Sequence, residues 1–272
     1  IGPSLKKFAE DKRFILGSGS AGTAVFSGIL KDGSEVAVKR MLIQACKDTA
    51  ENEKNILSLI NTKKSPFIVS YRNFLKDNTF MYLIVDLCEE TLDEYVHFQN
   101  IQHLGIQGRR MIKEMLNGLK FLHDQGVLHR DLKPSNILLD VKGHIRLADF
   151  AISRVLNENE TTVHTDAKGT RGWMAVEVIE TLNKGGKGRF KKKSDIQTAG
   201  MIAFFILTKG GHPFGATVYD RMTNIKNGNP VNLHDLDDPD ARQFVLRLIS
   251  HKIDARPNAH EALAQPLMDN IH

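Results

Sequence analysis

Cysteine is scarce in this chain of 272 residues, and Cys46 and Cys88 belong to no paired spacing motif. The sequence therefore argues against a disulfide framework and favours a reducing compartment. Long apolar runs are also missing. The most apolar run, residues 201–207, is far shorter than the roughly 20 residues that span a bilayer. It predicts a buried helix and no membrane contact by this segment.

The sequence also lacks a basic stripe interleaved with aromatic residues, the pattern typical of a nucleic-acid surface. The formal charge of +5 is a mild excess for this length and suits an anionic ligand such as a nucleotide. The basic positions between 184 and 193 indicate a solvated loop, with an acidic or RNA partner as the alternative. No direct nucleic-acid contact is predicted for this segment.

Strand patterns dominate the beginning of the chain. Residues 13–16, 23–26 and 35–40 contain alternating or continuous apolar residues, many of them β-branched or aromatic. Asp32 and Gly33 lie between two of these runs, and a glycine at that place tolerates the positive φ of a tight hairpin turn. An antiparallel sheet is therefore expected here.

One helix and two more strands are predicted next. Apolar residues recur at helical spacing over residues 48–60, and strand-like runs cover 68–74 and 80–85. The pattern breaks at residues 87–89, which indicates a boundary between two lobes. The predicted lobes are residues 1–86 and 87–272.

The second lobe is predicted to be mainly helical. An apolar stripe at helical spacing predicts a helix that ends near Gly126; its members are Ile112, Met115, Leu116, Leu119 and Leu122. Residues 195–207 predict a buried central helix, and residues 241–249 and 259–263 predict shorter amphipathic helices. The expected class is α+β, with a small antiparallel β lobe that carries one helix and a larger, mainly helical lobe.

The strongest chemical signal is the segment His-Arg-Asp-Leu-Lys-Pro-Ser-Asn at residues 129–136, followed by Asp-Phe-Ala from Asp149. These residues match the parts of a phosphoryl-transfer site at every defined spacing. Asp131 is predicted to orient an acceptor hydroxyl and take its proton, and Lys133 to offset charge on the transferred group. Asn136 and Asp149 supply the oxygen ligands that a magnesium ion prefers.

A glycine-rich segment precedes this motif, with Gly17, Gly19 and Gly22 spaced as G-x-G-x-x-G. A dinucleotide-binding fold would place such a segment between a strand and a helix. Here strand-like residues flank it on both sides, which favours a hairpin that covers phosphates. Without a Cβ atom, glycine lets the backbone approach phosphate oxygens closely.

Lys39 follows in the strand-like run 35–40. Because side chains alternate along a strand, Ala37 and Lys39 share a face, so a small residue leaves room for a purine while the ammonium group reaches the phosphates. Such a lysine needs an anionic partner on the following helix. Glu53 is the predicted partner because Leu57, one turn later, faces the same interior side. Glu51 is the alternative.

Taken together, these residues resemble a eukaryotic protein kinase, and Lys133 followed by Pro134 resembles the serine/threonine branch. The resemblance extends over nearly the whole chain. Residues 169–177 resemble the end of an activation segment, and Arg256 matches the arginine that pairs with the glutamate at Glu177 in kinases. Residues 86–96 and 211–215 are similar to the kinase/endoribonuclease family of the unfolded-protein response and of the 2-5A-dependent ribonuclease.

The resemblance implies a bilobal kinase fold that binds ATP and Mg²⁺. It implies that Val85 is the gatekeeper and that Asp86 and Cys88 belong to the hinge that meets the adenine edge. The complete set of implied nucleotide-binding residues is Gly17, Gly19, Gly22, Val25, Ala37, Lys39, Val85, Asp86, Cys88 and Leu138, of which Leu138 is expected to form the floor of the adenine site.

Regulation and partners are implied as well. Thr161, Thr162 and Thr165 are candidate phosphorylation sites, because Arg130 beside the catalytic aspartate could pair with an added phosphate. The expected protein substrate is this chain itself in a second copy, so a homodimer is expected. The resemblance implies a cytosolic domain, with a parent protein that is either anchored in the endoplasmic reticulum membrane or soluble. No nuclease domain is expected within this chain.

Two positions depart from the kinase pattern. Ala151 stands where kinases have glycine, and Val176 stands where they have proline. Alanine narrows the backbone choices of the metal-binding segment. The alternative function is therefore a nucleotide-binding dimerisation module, with weak or absent phosphoryl transfer, that brings attached nuclease domains together.

Overall fold

The amino-terminal lobe is an antiparallel sheet that carries one long helix. The computed structural model describes residues 5–8, 15–19, 22–157, 160–165, 168–182 and 187–268. The strands of the sheet are β1 (Leu5–Phe8), β2 (Ile15–Ser18), β3 (Ala24–Leu30), β4 (Glu35–Leu42), β5 (Tyr71–Lys76) and β6 (Phe80–Asp86). Their order is β1-β3-β4-β6-β5, with β2 also paired to β3. The helix α1 (Ile43–Leu59) follows β4 directly.

Side-chain alternation along β4 gives the sheet two buried faces. Val36 and Val38 pack with Ile84 on one face, and Met41 joins the main core on the other. Lys39 has the same parity as Met41 and therefore lies on the face covered by α1. The sheet thus directs this lysine toward the helix and the second lobe.

The larger lobe surrounds α5 (Lys192–Leu207), which is buried along nearly its whole length. This helix confirms the prediction drawn from the apolar run at residues 201–207. The other helices are α2 (Leu92–Phe98), α3 (Ile101–Asp124), α4 (Val176–Leu182), α6 (Val218–Asn227), α7 (Pro239–Leu248) and α8 (Ala259–Leu263). Both α3 and α7 pack against α5, and α8 packs against α3.

Short strands join the loops of the larger lobe. They are β7 (Glu90–Thr91), β8 (Val127–Leu128), β9 (Ile137–Leu139), β10 (Ile145–Leu147), β11 (Arg154–Val155), β12 (Val163–Thr165) and β13 (Gly188–Phe190). The pairs are β9 with both β7 and β10, β8 with β11, and β12 with β13. The two-lobed α+β architecture predicted from the sequence is confirmed.

The start predicted for the first helix was wrong, and the helix with the apolar stripe begins before that stripe. The helix α3 begins at Ile101, well before its apolar stripe, because Asn100 accepts a hydrogen bond from the His103 amide at 2.8 Å and caps it. The helix α1 begins at Ile43 rather than residue 48, with its first amide bonded to the Thr79 carbonyl at 3.0 Å.

The strand predicted from residue 68 was also placed too early. Its first residues hydrogen bond to the larger lobe: Val69 N donates to Leu147 O at 3.0 Å, and Leu147 N donates to Phe67 O at 2.8 Å. The regular strand β5 starts only at Tyr71. The lobes are therefore joined by backbone contacts as well as by the link after β6, and a division at residues 86/87 stays a prediction.

Candidate active site

The segment 129–136 is a loop between β8 and β9, and a buried carboxylate on α5 holds its beginning. Asp195 accepts the backbone N–H groups of His129 and Arg130, both at 3.0 Å, and the His123 ring at 2.9 Å. Burial opposes the charged form, but the His123 hydrogen bond and neighbouring donors lower the pKa of Asp195. Arg130 has a φ of +71°, an uncommon conformation for a non-glycine residue.

Asp131 is the centre of a short hydrogen-bond network. Its Oδ1 accepts from Thr170 Oγ1 at 2.8 Å, and its Oδ2 accepts from Asn136 Nδ2 at 3.1 Å. Lys133 Nζ donates to the same Thr170 hydroxyl at 2.8 Å and lies 3.4 Å from Asp131 Oδ2. The activation segment therefore supplies a threonine that orients the predicted proton acceptor, and the predicted lysine lies beside it.

Lys39 joins the two lobes electrostatically. Its Nζ lies 2.7 Å from Glu53 Oε2 and 3.1 Å from Asp149 Oδ1. Burial alone would lower the pKa of Lys39, but the two carboxylates outweigh burial and raise it. Burial raises the pKa of Glu53, whereas the ion pair with Lys39 outweighs burial at Asp149 and lowers its pKa. Glu53, rather than the alternative Glu51, is thus the carboxylate that contacts Lys39.

The tripeptide from Asp149 is held in one conformation. Phe150 is completely buried and packs on the His129 ring with centroids 5.1 Å apart. Its amide donates to Glu53 Oε1 at 3.3 Å. Asp149 has a φ of +60°, while Ala151 is not among the residues with positive φ. In this arrangement the alanine occupies the glycine position without left-handed backbone strain.

Asn52 is a site residue that the sequence reasoning missed. Its Nδ2 donates to the carbonyl oxygens of Phe150, Ala151 and Ser153 at 3.3, 3.0 and 3.0 Å, and its Oδ1 accepts from Arg154 at 2.9 Å. A single amide on α1 therefore fixes the start of the activation segment. In the sequence, only its position immediately before Glu53 could have indicated that Asn52 lies at the site.

The glycine-rich segment forms the predicted hairpin between β2 and β3. Gly17 pairs with Val25, and Gly19 N donates to Thr23 O at 2.9 Å. A Cβ atom added at Gly17 would meet no atom of the described residues within 4 Å, so packing against them does not explain this glycine. Gly22 has a φ of +75°, which favours glycine for conformational reasons. Ser20 and Ala21 of the motif lie outside the described residues.

Two of the predicted adenine-site residues lie on neighbouring strands. Ala37 of β4 is directly opposite Val85 of β6, whereas Leu138 lies on β9 in the larger lobe. The Asp86 amide is used in a hydrogen bond to Ser70 O at 3.0 Å. Burial raises the pKa of the Cys88 thiol to about 11, so this cysteine stays protonated near neutral pH. The binding roles of these residues stay predictions.

Two side-chain oxygens fit a hard metal ion. Asn136 uses its Nδ2 toward Asp131, and its Oδ1 accepts no hydrogen bond from the part of the chain that the structure describes. Asp149 likewise keeps Oδ2 free of described donors, because Lys39 binds Oδ1. Within the described ranges no group of three or more His, Cys, Asp or Glu side chains could hold a metal. A divalent ion here would take its remaining ligands from phosphate and water oxygens, as Mg²⁺ does at nucleotide sites.

The activation segment returns along β12, which pairs with β13. Thr161 is exposed, and Thr162 and Thr165 are half-buried. Arg130 donates to Ile152 O at 2.8 Å, and its guanidinium lies 4.0 Å above the Phe190 ring. The arginine predicted to receive a phosphate is thus covered by an aromatic ring.

The end of the segment is fixed by a fully buried ion pair. Arg256 donates to both Glu177 oxygens at 3.0 Å, which confirms the pairing predicted from the sequence. Val176, at the position of the family's proline, donates its amide to Gln197 Oε1 at 2.9 Å. Proline has no N–H group, so valine allows a hydrogen bond that the usual residue could not make.

Lys39 of the small lobe contacts Glu53 and Asp149, and Asp131 of the large lobe is oriented by Thr170 and Asn136. This arrangement is typical of a phosphotransferase of the protein kinase class. A family model described as protein kinase domain matches residues 11–268, and the chain belongs to this family. Membership implies ATP, a divalent metal ion and a protein substrate. The predicted serine/threonine kinase class is confirmed.

The names of similar curated proteins also describe serine/threonine-protein kinases. The chain is 31% identical over 271 residues to the human serine/threonine-protein kinase/endoribonuclease IRE2, covering 96% of this chain and 28% of that protein. It is 33% identical over 273 residues to the IRE1 kinase/endoribonuclease of Oryza sativa subsp. japonica, covering 92% and 29%. The probable serine/threonine-protein kinase ireA of Dictyostelium discoideum is 30% identical over 296 residues, covering 95% and 28%.

The chain thus spans less than a third of the length of these relatives. Across the described ranges, no helix is both long and apolar enough to cross a bilayer.

Proposed function

We propose that this chain transfers the γ-phosphoryl group of ATP, with Mg²⁺ as the metal ion, to threonine hydroxyls on the activation segment of a second copy. The observation that carries the proposal is the assembled cleft, in which Lys39 contacts both Glu53 and Asp149 across the two lobes. Kinases need this ion pair and the metal-binding aspartate in place together.

Asp131 performs the proton chemistry in this proposal. Its carboxylate is oriented by Thr170 and Asn136, so it can accept the proton of an incoming hydroxyl as the oxygen attacks phosphorus. The Lys133 ammonium group lies beside the Asp131 carboxylate. From there it offsets the charge that develops on the phosphoryl oxygens. Lys39 orients the phosphates from the opposite lobe.

Asn136 and Asp149 would hold Mg²⁺ through the oxygens described above. When bound, the ion neutralises phosphate charge during transfer. Replacing Asp149 with asparagine retains the size of the side chain but removes its charge. We expect this variant to need far more Mg²⁺ for half-maximal activity than the parent chain.

The direct test is phosphate incorporation from labelled ATP with Mg²⁺, comparing the parent chain with Asp131→Asn. We expect the variant to lose at least about a hundredfold in rate, the lower range for removal of a general base. Asp237→Asn, at an exposed aspartate just before α7, is the matched control. Equal incorporation in the parent chain and Asp131→Asn would refute the proposal.

Transfer between copies is tested by mixing two chains. One copy carries Asp131→Asn and a size tag, and the other is active but has all three candidate threonines replaced by valine. Label on the tagged copy shows transfer in trans, and sedimentation reports the accompanying dimer. If nucleotide produces dimers but no label enters either copy, the dimerisation-module alternative is supported instead.

A role in controlling an attached nuclease domain is proposed only because of the relatives. Two of them have endoribonuclease in their names, and we propose that this chain controls such a domain in its parent protein. RNA cleavage by the parent protein, with and without Asp131→Asn, tests this control. The resemblance noted in the sequence also supports a cytosolic orientation on the endoplasmic reticulum, which fractionation of the parent protein tests.

A further inference from the structure

A cavity of about 350 Å³ opens beside the predicted proton acceptor. Lys133 and Thr170, which both lie next to Asp131, line one part of it, and Trp173 and Arg221 line another. Successive residues of an extended peptide are roughly 3.3 Å apart. A substrate whose hydroxyl group reaches Asp131 would therefore place a neighbouring side chain in this cavity.

Arg221 is a half-buried cation of the cavity, near the beginning of α6. Its Nε donates to Gly215 O at 3.0 Å. Neither terminal nitrogen forms a hydrogen bond or an ion pair with another residue in the described part of the chain. Burial lowers the pKa of this guanidinium group, since part of its hydration is lost. An anion in the cavity would compensate for that loss.

Aromatic packing holds the guanidinium group in place. Its carbon lies 5.8 Å from the centroid of the Trp173 ring, and that ring packs edge-on against Phe205 and His212. A Cβ atom added at Gly172 would lie 3.3 Å from Arg221 Cδ, so the arginine stem packs on this glycine. The planar fork is thus oriented before any ligand arrives, as two-point binding of a carboxylate requires.

Asp93 is an acid in the same cavity and would favour a basic ligand instead. Its side chain is 52% exposed, and the His97 ring lies 3.9 Å from its carboxylate. Water and salt screen an exposed charge more strongly than a half-buried one. We therefore expect Arg221, rather than Asp93, to decide which side chain binds.

We propose that Arg221 determines substrate specificity by binding the carboxylate of a glutamate or aspartate within about three positions of the phosphorylated residue. This names the substrate class of the proposed kinase and rests on that proposed function. The sequence of the chain itself contains such an arrangement, because the exposed Glu160 directly precedes Thr161.

Kinetics with synthetic peptides test the preference. Each peptide has one threonine in a neutral background, with glutamate, glutamine or lysine placed in turn at the three positions on either side. At the position that reaches the cavity, glutamate should raise kcat/KM at least about tenfold over glutamine, mainly through a lower KM. Equal values for glutamate and glutamine at every position would overturn the proposal. A preference for lysine would also overturn it and would assign recognition to Asp93.

Substitutions in the cavity identify the group responsible. Arg221→Gln should abolish the advantage of glutamate, and Arg221→Lys should retain only part of it, because lysine keeps the charge but lacks the fork. Asp93→Asn should increase the advantage, because it removes the opposing charge. Arg247→Gln, at an exposed arginine of α7, is the matched control and should leave the advantage unchanged. An advantage that survives Arg221→Gln would refute the role of this arginine.

Binding to the Asp131→Asn chain separates this proposal from the kinase function. Fluorescence anisotropy with the same peptides should give a Kd about tenfold lower for the preferred glutamate peptide than for its glutamine counterpart. Arg221→Gln in that chain should remove the difference. If the difference is present but the parent chain phosphorylates no peptide, the acid-binding subsite stands and the proposed kinase function fails. If transfer occurs without any difference in binding, the kinase function stands and the subsite is refuted.

Discussion

At the scale of single residues, the two departures from the family pattern are accommodated by local contacts. Val176 donates an amide hydrogen to Gln197, which proline could not do. Ala151 lies outside the positive-φ region. Its carbonyl oxygen accepts a hydrogen bond from Asn52, whose amide group acts as a clamp on this segment. A side chain on α1 thus holds the start of this segment, and the expectation that alanine narrows its backbone choices stays a prediction.

Asn52→Ala should reduce kcat/KM by roughly tenfold to a hundredfold. The variant removes the donor for three carbonyl oxygens, and a typical hydrogen bond contributes about 1 kcal/mol. Steady-state kinetics at varied ATP and Mg²⁺ measure the loss. Asn55→Ala, at an exposed asparagine of the same helix, is the control. Similar kinetics for both variants would show that the clamp does not position the site.

Protonation of His212 should make stability depend on pH. This ring is 2% exposed and packs on Trp173 at a centroid distance of 4.9 Å. Burial lowers its pKa to about 3, with Arg221 adding to the effect. Below pH 6.5 the unfolded chain binds a proton that the folded chain does not, so the free energy of unfolding falls as pH decreases from 6.5 toward 3.

Between pH 7 and pH 5 this group should cost about 2 kcal/mol of stability. Denaturant unfolding at the two pH values measures the difference, and His212→Asn should reduce it by that amount. His260→Asn, at an exposed histidine, should leave the difference unchanged. An identical pH response in the parent chain and His212→Asn would contradict the assignment.

At the scale of elements, the helices of the larger lobe meet at positions where side-chain volume is limiting. A Cβ atom added to Gly200 of α5 would lie 2.7 Å from Leu248 Cβ and from Ile249 Cγ2. Gly105 of α3 has nothing within 4 Å of an added Cβ atom. Both glycines are helical, but only the first lets two helices approach closely.

Gly200→Ala and Gly105→Ala should therefore have opposite effects. Alanine in an open helical position stabilises by up to about 1 kcal/mol. Alanine at Gly200 forces α5 and α7 apart and should destabilise by about 1–3 kcal/mol, as overpacked cores do. Denaturant midpoints measure both changes. A stabilising effect of Gly200→Ala would show that the space between these helices can hold an extra methyl group.

At the scale of the whole molecule, both lobes contribute residues to the cleft. Lys39 and Glu53 come from the small lobe, whereas Asp131 and Asp149 come from the large one. Backbone bonds between Phe67, Val69 and β10 add a second connection between the lobes. A ligand that contacts both lobes should therefore stabilise the complete fold.

A non-hydrolysable ATP analogue with Mg²⁺ at about 100 times its Kd should stabilise the chain by about 2.7 kcal/mol. For a chain of this size we expect Tm to rise by roughly 5–10 °C. Lys39→Met should remove most of the rise, whereas Lys31→Met, at an exposed turn, should retain it. A full rise in Lys39→Met would mean that the nucleotide binds elsewhere or without this lysine.

The sequence alone determined the chemistry of this protein and the type of its main elements. The spacing of the aspartates, lysines and asparagine is local, and strand and helix periodicities are local too, so both could be recognised along the chain. The start of α1 was predicted too late because its first amide bonds to Thr79, a contact that periodicity does not reveal.

The sequence predicted the pairs Lys39–Glu53 and Arg256–Glu177, whereas only the tertiary structure decided the other contacts between distant segments. Asn52 reaches carbonyl oxygens about a hundred positions away in the chain, and Arg130 is covered by Phe190 of a distant strand. The register of β12 on β13 places Thr165 opposite Gly188. Such contacts depend on how faces and strands align in space, which residue types and spacing do not specify.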